Sequence, residues 1–295
     1  MKTILIIGGD SFIGSNFISK FYDKYNFKII SRVKKGFKDE ILVDDFFKLE
    51  DIVFSGVDIL INFAAIVHRT NYIPKINYKK INYDLPVFLY KKSIKNGIRH
   101  FIQMSTIAVY KRNEIINVNS IEKPNSFYGY YKLMTDNFLI DNSDNGIITT
   151  CIRPPMVYGG ISPGNMLRLV KLAKFRFPLP FKNIDNRLTF INIFNLLDFI
   201  NIVIIKKLDK ILIPTDKKET STREIIEIVR EHLNYKKNLF NLPFLGHCII
   251  KLFFPNLYSK LFKSMIVQCN LSDELYDPKH DIISGIKLTL SKMKL

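Results

Sequence analysis

The chain has 295 residues, of which 47% are hydrophobic, so it can bury a large core in one large domain or two smaller ones. Its formal net charge is +17, but the basic residues are scattered, without a basic helix or zinc-finger pattern, so a nucleic-acid partner is not expected. No apolar run reaches the roughly 18 residues of a membrane helix, and no signal-peptide pattern is present, so we expect a cytoplasmic protein with no integral membrane segment.

The first predicted elements are a strand, a turn and a helix. The apolar run from Thr3 to Ile7 is followed by small residues and then by apolar residues at helical spacing. A short strand that is apolar on both faces is typical of a parallel sheet covered by helices. The turn directs backbone N–H groups and a helix N-terminus to one point, which suits a pyrophosphate. We expect a dinucleotide to be bound by Gly8, Gly9, Ser11, Phe12, Ile13 and Gly14. Ser11 takes the place of the middle glycine of the usual fingerprint.

The second predicted strand runs from Phe27 to Arg32 and ends where such a unit places the residue that meets the adenosine ribose. An acid at this point selects NAD. This chain has Ser31 and Arg32 instead, and a guanidinium beside a hydroxyl suits the 2′-phosphate of NADP. NADP(H) is therefore the preferred cofactor, and NAD(H) is the alternative.

Further along, apolar strands alternate with helical stretches, which indicates an α/β fold with a Rossmann-type doubly wound parallel sheet. The predicted strands are 57–65, 101–106 and 147–153, and the predicted helices are 85–95 and 131–140. After Pro154 and Pro155 the composition changes, with more Pro, Gly and Asn. We expect an NAD(P)-binding Rossmann domain over residues 1–158, to which a segment about 188–204 returns, and a smaller C-terminal substrate-binding domain over residues 159–295.

Tyr128 and Lys132 form a Y-x-x-x-K pair. If this segment is helical, the two residues lie on one face, and the ammonium can lie beside the phenol ring. A nearby cation favours phenolate, and bringing a tyrosine close to neutrality requires a pKa change of roughly 3 units, or about 4 kcal/mol. Together with the glycine-rich turn, the pair predicts the proton carrier of a nicotinamide enzyme.

Two features of the chain are interpreted as structural. Cys151, Cys248 and Cys269 are widely spaced, which supports neither a disulfide framework nor a metal site. The segment from Cys248 to Lys263 is basic and amphipathic enough to touch a membrane. Because Pro255 interrupts it, packing in the core is the favoured interpretation.

These motifs, with the runs from Met104 to Tyr110 and from Arg153 to Gly159, resemble the extended short-chain dehydrogenase/reductases, the NAD(P)-dependent epimerase/dehydratase group that acts on nucleotide sugars. The resemblance implies that Thr106 hydrogen-bonds the reacting sugar oxygen and that Tyr128 transfers its proton. It implies that Lys132 holds the cofactor ribose and lowers the tyrosine pKa. The further residues that it places beside the cofactor are Asp44, Ala64, Ala65, Asn82, Pro155 and Val157.

The resemblance also implies a nucleotide-diphosphate sugar as substrate. Asn165 and Arg187 are expected to hold the diphosphate, since the planar donors of arginine match phosphate oxygens. Without the resemblance, both would be interpreted equally well as surface loop residues. His68, which follows the loop at Ala64 and Ala65, is expected to approach the sugar. A homodimer formed through two helices of the first domain is expected, as in related enzymes.

The run from Arg153 to Gly159 and the later segments are similar to the bacterial enzymes that reduce UDP-4-keto-6-deoxy-N-acetylhexosamines for surface polysaccharide. NADPH-dependent reduction at C4 is therefore the main hypothesis. An NAD-dependent UDP-hexose or UDP-N-acetylhexosamine 4-epimerase is the alternative, because both reactions move a hydride between C4 and nicotinamide. A 4,6-dehydratase is disfavoured, since Ile107 and Ala108 stand where family dehydratases have an acidic pair. A non-catalytic dinucleotide-binding sensor or scaffold is the second alternative.

Overall fold

The computed structural model describes residues 1–67, 73–111, 115–143, 146–161, 164–268 and 270–293. The chain divides into two compact units. The first unit consists of Met1–Lys111, Val118–Pro154 and Leu197–Ile213, and the second of Arg112–Asn117, Pro155–Leu196 and Pro214–Leu295.

The chain forms both strands and helices. The strands are Thr3–Ile7 (β1), Asn26–Ser31 (β2), Glu40–Leu42 (β3), Ile59–Asn62 (β4), His100–Met104 (β5), Ile115–Ile116 (β6), Ile148–Ile152 (β7), Met156–Tyr158 (β8), Leu188–Asn192 (β9), Ile211–Leu212 (β10), Glu219–Thr220 (β11) and Ile266–Val267 (β12). The helices are Phe12–Phe21 (α1), Asp51–Phe54 (α2), Lys75–Lys79 (α3), Leu85–Lys95 (α4), Phe127–Asp141 (α5), Asn165–Ala173 (α6), Ile193–Lys206 (α7), Thr222–His232 (α8), Phe244–Phe253 (α9), Pro255–Phe262 (α10), Asn270–Leu275 (α11) and Ile282–Lys292 (α12).

In the described part of the first unit, seven strands form one parallel sheet in the order β10-β7-β5-β4-β1-β2-β3. The predicted doubly wound sheet is confirmed. β1 lies between β2 and β4, with Ile7 opposite both Ile30 and Asn62, so these strands end at the same edge. The strand order reverses beside β1, and the carboxyl ends of strands at such a switch point are where open α/β sheets bind ligands.

The core of the first unit explains why its strands are almost wholly apolar. Leu5 and Ile7 are fully buried together with Leu60 and Phe101 from neighbouring strands. Because helices cover both faces of a parallel sheet, the side chains on both faces of each strand are removed from water. The continuous apolar run near the N-terminus is thus a consequence of its central place in the sheet.

The second unit has its own sheets and core. β8 runs parallel to β9, β11 pairs antiparallel with β9, and β6 pairs with β12. Side chains of α6, α8 and α12 share a buried cluster that includes Tyr158, Phe190 and Ile225. α8 begins with a capping box in which Ser221 and Glu224 satisfy each other's backbone N–H groups.

Within the segment from Cys248 to Lys263, Leu261 and Phe262 of α10 pack against the core of the second unit, but α9 does not, so the prediction is wrong for α9. α9 has no buried residue, and Phe244 and Leu252 are strongly exposed. Apolar residues at helical spacing predict a buried face, but the pattern alone does not supply a neighbouring element to cover it. Among the helices within the described ranges, none combines the length and apolarity needed to cross a bilayer.

Candidate active site

The turn between β1 and α1 is built from glycines because it has no room for side chains. Gly8 has φ of +82°, and a Cβ atom on it would lie 2.7 Å from the backbone nitrogen of Ala64. A Cβ on Gly14 would lie 2.5 Å from the carbonyl oxygen of Gly8. The chain can therefore follow this turn only with glycine at these positions, and it leaves a cradle of bare backbone at the carboxyl edge of the sheet.

Ser11, the departure from the glycine fingerprint, caps the helix. Its backbone is extended, and its side chain accepts a hydrogen bond of 3.0 Å from the backbone nitrogen of Gly14. The N–H groups of Phe12 and Ile13, in the first turn of α1, have no acceptor within the helix. An anion at a helix N-terminus binds such groups, so the turn fits a pyrophosphate with serine in place of glycine.

The predicted adenosine-binding residues lie at the ends of β2 and β3. Ser31 is buried as the last residue of β2, and a Cβ on Gly9 would lie 2.9 Å from its hydroxyl oxygen. Arg32 is exposed, with its guanidinium carbon 5.9 Å from the ring centroid of Phe46. Asp44 is also exposed, after β3. Arg32 is thus accessible to the 2′-phosphate of NADP, as expected, and the predicted contact of Asp44 with the cofactor stays a prediction.

Asn82 orders the loop that follows β4. Its side-chain oxygen accepts a hydrogen bond from the backbone nitrogen of Ile66 at 3.0 Å, and its amide nitrogen donates to the carbonyl of Ile66 at 2.9 Å. Asn82 lies in a single π-helical turn between α3 and α4, a feature often found at functional sites. On the other side of the loop, Asn62 accepts from the backbone nitrogen of Ala64 at 3.1 Å. These two asparagines hold Ala64 and Ala65 against the glycine turn.

Helix α5 brings Tyr128 to Thr106. The helix begins after Ser126, whose hydroxyl accepts from the backbone nitrogen of Gly129 at 3.2 Å. A Cβ on Gly129 would collide with the carbonyl oxygen of Ala108, so glycine permits a close approach of the helix to the turn after β5. As a result, the side chains of Tyr128 and Thr106 are hydrogen-bonded. The catalytic pair expected from the sequence is therefore assembled.

Lys132 lies one turn along the same helix and is buried. Its ammonium donates a hydrogen bond of 2.8 Å to the carbonyl of Met104, and burial lowers the pKa of Lys132 to about 8, against the opposing effect of Asp136. Burial raises the pKa of Tyr128 to about 12, although its hydrogen bond with Thr106 acts in the other direction. In the polypeptide itself, the expectation that Lys132 lowers the tyrosine pKa is therefore wrong, because desolvation of the phenolate is the larger effect.

A buried ion pair beside the predicted catalytic residues was missed in the sequence. Asp136, one further turn along α5, accepts hydrogen bonds from Ser105 at 2.7 Å and from Arg153 at 2.8 Å. The same guanidinium donates to the hydroxyl of Tyr110 at 2.7 Å. The network joins α5 to the ends of β5 and β7 and so fixes the position of Lys132. The sequence feature that could have indicated this ion pair is the acid four residues after Lys132, on the same face of the helix.

The remaining predicted residues belong to the second unit or lie outside the described ranges. Pro155 is buried, Val157 is in β8, and Asn165 is the first residue of α6. Arg187 precedes β9 and forms an ion pair with Glu219. His68 lies outside the described residues, so its proposed role and those of the four others stay predictions.

The described residues contain no group of three or more His, Cys, Asp and Glu side chains that could hold a metal ion. Of the cysteines, Cys151 is buried and Cys248 is exposed, and Cys269 lies outside the described residues.

Comparison with known proteins places this site in a family. A UDP-glucose 4-epimerase of Vibrio cholerae is 27% identical over 287 residues, which span 90% of this chain and 84% of the relative. An N-acetyl-alpha-D-glucosaminyl-diphospho-ditrans,octacis-undecaprenol 4-epimerase of Escherichia coli O157:H7 is 24% identical over 82% of this chain and 75% of the relative. The crystal structure of UDP-N-acetylglucosamine 4-epimerase from Bacillus cereus has the same fold, with a TM-score of 0.81 and 16% identity over 99% of this chain and 100% of that chain. The model of the NAD-dependent epimerase/dehydratase family matches residues 4–173, which include the glycine turn and the Tyr128–Lys132 pair, so the chain belongs to this family.

Proposed function

We propose that this protein is an NAD-dependent 4-epimerase of a diphosphate-linked hexose or N-acetylhexosamine. The observation that carries the proposal is the hydrogen-bonded pair of Tyr128 and Thr106, with Lys132 one helical turn away, in the same unit as the glycine turn. Both curated relatives reported above are named as sugar 4-epimerases, which favours epimerisation over a single reduction.

The residues of the first unit fit a dinucleotide. The bare backbone at Gly8 and the free N–H groups of Phe12 and Ile13 would hold its pyrophosphate, and the loop at Ala64 and Ala65 would flank it. Bound NAD supplies a hydride acceptor and donor for the sugar carbon C4.

The chain supplies the proton chemistry. The phenol oxygen of Tyr128 would take the proton of the C4 hydroxyl as the ketone forms, and it would return the proton when the ketone is reduced. The hydroxyl of Thr106 would hold the same sugar oxygen. With a pKa of about 12, Tyr128 keeps its proton at neutral pH. Proton removal therefore needs further positive charge near the phenol, which the oxidised nicotinamide of bound NAD would supply.

The group to which the sugar is attached differs between the two relatives. The relative from V. cholerae is named for UDP-glucose, and the relative from E. coli for an N-acetylglucosamine on a polyprenyl diphosphate. Both substrates present a diphosphate to the enzyme. We propose Asn165 and Arg187 for this group, since guanidinium donors match phosphate oxygens.

NADPH-dependent reduction of a UDP-4-keto-6-deoxy-N-acetylhexosamine is the second candidate. Arg32 favours it, because an exposed guanidinium after β2 suits a 2′-phosphate. The relatives reported above are 4-epimerases, which favours retained NAD instead. A sensor without activity would have no use for the bonded pair of Tyr128 and Thr106.

A dimer through α4 and α5 remains part of the proposal. Both helices carry exposed apolar side chains, among them Ile94, Tyr130 and Ile140. Burial of such side chains between two copies would be favourable. Sedimentation velocity of the purified protein measures the oligomeric state directly.

The decisive assay supplies the purified protein with NAD and either UDP-glucose or UDP-N-acetylglucosamine and follows the C4 configuration by NMR. An epimerase converts the sugar to a mixture of both C4 epimers without net change in nicotinamide absorbance. A parallel reaction contains NADPH and a UDP-4-keto-6-deoxy-N-acetylhexosamine. Stoichiometric NADPH oxidation there, with no epimer formed in the first reaction, would replace the proposal with the reductase.

A further inference from the structure

The second unit carries an exposed apolar surface, here termed the docking face. In α9, Phe244, Leu252 and Phe253 are 84%, 74% and 68% exposed. At 100° per residue, the exposed apolar side chains of α9 project from one side of the helix. Monomeric proteins rarely expose apolar surface of this extent without a binding role. The docking face consists of Phe244, Leu245, Ile249, Leu252 and Phe253.

The opposite side of α9 contacts α10, so the exposed apolar side chains belong to a helix that is packed against the second unit. The ring of His247 lies 5.3 Å from that of Phe262 in α10, and its Nδ1 is 3.3 Å from the hydroxyl of Tyr258. Phe262 in turn stacks on Phe181 of the same unit at 5.4 Å. These contacts direct the inner side of the two helices to the second unit and leave the docking face outward.

The stretch of chain that carries the docking face has charges of one sign. No Asp or Glu lies between Glu231 and Asp273. Lys236, Lys251, Lys260 and Lys263 of this stretch are exposed, and Lys237 pairs with Glu227 and Glu231 of α8. An apolar face bordered by lysines, without acids, is complementary to a bilayer surface with anionic headgroups. A second copy of this chain would bring the same excess of positive charge to the contact, and the like charges would oppose association.

We propose that the docking face binds the surface of a bilayer that contains anionic phospholipids. α9 and α10 would lie in the headgroup region, with the apolar side chains directed to the acyl chains and the lysines to the lipid phosphates. Both helices are too short to span the bilayer, and no other helix of the described residues is suited to do so. Contact is therefore peripheral.

The test is co-sedimentation of the full chain with vesicles of phosphatidylcholine alone or of phosphatidylcholine with phosphatidylglycerol. We expect strong binding to the mixed vesicles, weak binding to phosphatidylcholine alone, and a decrease as salt is raised. The double variant Leu252→Asp, Phe253→Asp should reduce partition into mixed vesicles at least about tenfold, because it removes apolar contacts and adds negative charge. The double variant Lys251→Gln, Lys260→Gln should bind the mixed vesicles more weakly than the wild type does. Its binding to vesicles of phosphatidylcholine should be unchanged.

Ile52→Asp with Ile76→Asp is the matched control, since both isoleucines are exposed helix residues of the first unit, at 71% and 65%. It should leave vesicle binding unchanged, and thermal melts followed by circular dichroism confirm that all variants fold. Equal sedimentation of the wild type and the Leu252/Phe253 variant, or no sedimentation of the wild type, would overturn the proposal. A dimer that the same variant dissociates, without vesicle binding, would assign the face to a second copy instead.

Discussion

Tyr128 is the residue on which the proposed proton transfer depends. Removing its hydroxyl in Tyr128→Phe should lower the epimerisation rate by about 100-fold or more, in the range that general acid–base groups contribute. Cofactor affinity should stay nearly unchanged, because the ring and the helix remain. Rates by NMR and affinity by NAD titration provide the two measurements.

Tyr130→Phe is the matched control for this change. Tyr130 lies on the same helix, and its side chain is half exposed. The control variant should retain the wild-type rate. Equal rates for Tyr128→Phe and wild type would remove Tyr128 from the mechanism.

Lys132 gives the site a pH dependence. Burial lowers its pKa to about 8, so the ammonium that would hold the cofactor ribose is present below this pH and is lost above it. NAD affinity should therefore be constant well below pH 8 and should fall as pH rises, by up to about tenfold per unit. Isothermal titration across this range measures the effect.

The variant Lys132→Met provides the control for this prediction. It should bind NAD weakly at every pH and without the decline. A wild-type affinity that stays constant through alkaline pH would show that the ammonium of Lys132 does not bind the cofactor.

Residue spacing predicted part of this site. It indicated the glycine turn and the Tyr128–Lys132 pair, and the resemblance to a family added Thr106. It gave the wrong direction for the tyrosine pKa, because spacing reveals a nearby cation but not the burial of the phenol. The ion pair of Asp136 and Arg153 was also missed, since its partners come together only when the sheet forms.

At the level of the element, the approach of α5 to the turn after β5 decides whether the catalytic pair forms. Gly129→Ala adds a methyl group where the carbonyl of Ala108 already lies. The change favours helix formation intrinsically, but it must push the helix away from Thr106. We expect the epimerisation rate to fall about tenfold or more, since small misplacements of catalytic groups are costly.

Gly246→Ala in α9 is the control, because the atom nearest to its Cβ would be the end of the flexible Leu242 side chain. It should leave the rate unchanged. The hypothesis that close packing of α5 assembles the site would be rejected if Gly129→Ala were as active as the wild type.

The sequence predicted the long elements of the first unit better than those of the second. α4 occupies the predicted residues, and β1, β4 and β5 lie within or near the predicted strands. Their apolar runs are long because both faces of a parallel sheet are covered. The second unit has strands of two or three residues between loops, too short for a periodic signal, and α9 is apolar without being buried.

At the level of the whole molecule, the net charge of +17 is not evenly distributed. The stretch between Glu231 and Asp273, which includes the docking face, has no acidic residue. The first unit, by contrast, has acidic residues, among them the fully buried Asp136. Composition alone shows an excess of basic residues but not where they lie. The exposure of particular side chains was needed before a bilayer surface could be proposed as a partner.

The central claim is that hydride leaves C4 and returns to the same carbon in one enzyme. Its most direct test is the reaction of UDP-glucose, UDP-N-acetylglucosamine and polyprenyl-diphosphate N-acetylglucosamine, each deuterated at C4, with NAD and the purified protein. We predict that at least one sugar yields the C4 epimer with its deuterium retained at C4 and with no net reduction of NAD. Failure of all three to epimerise, or loss of deuterium from C4 in the product, would contradict the claim.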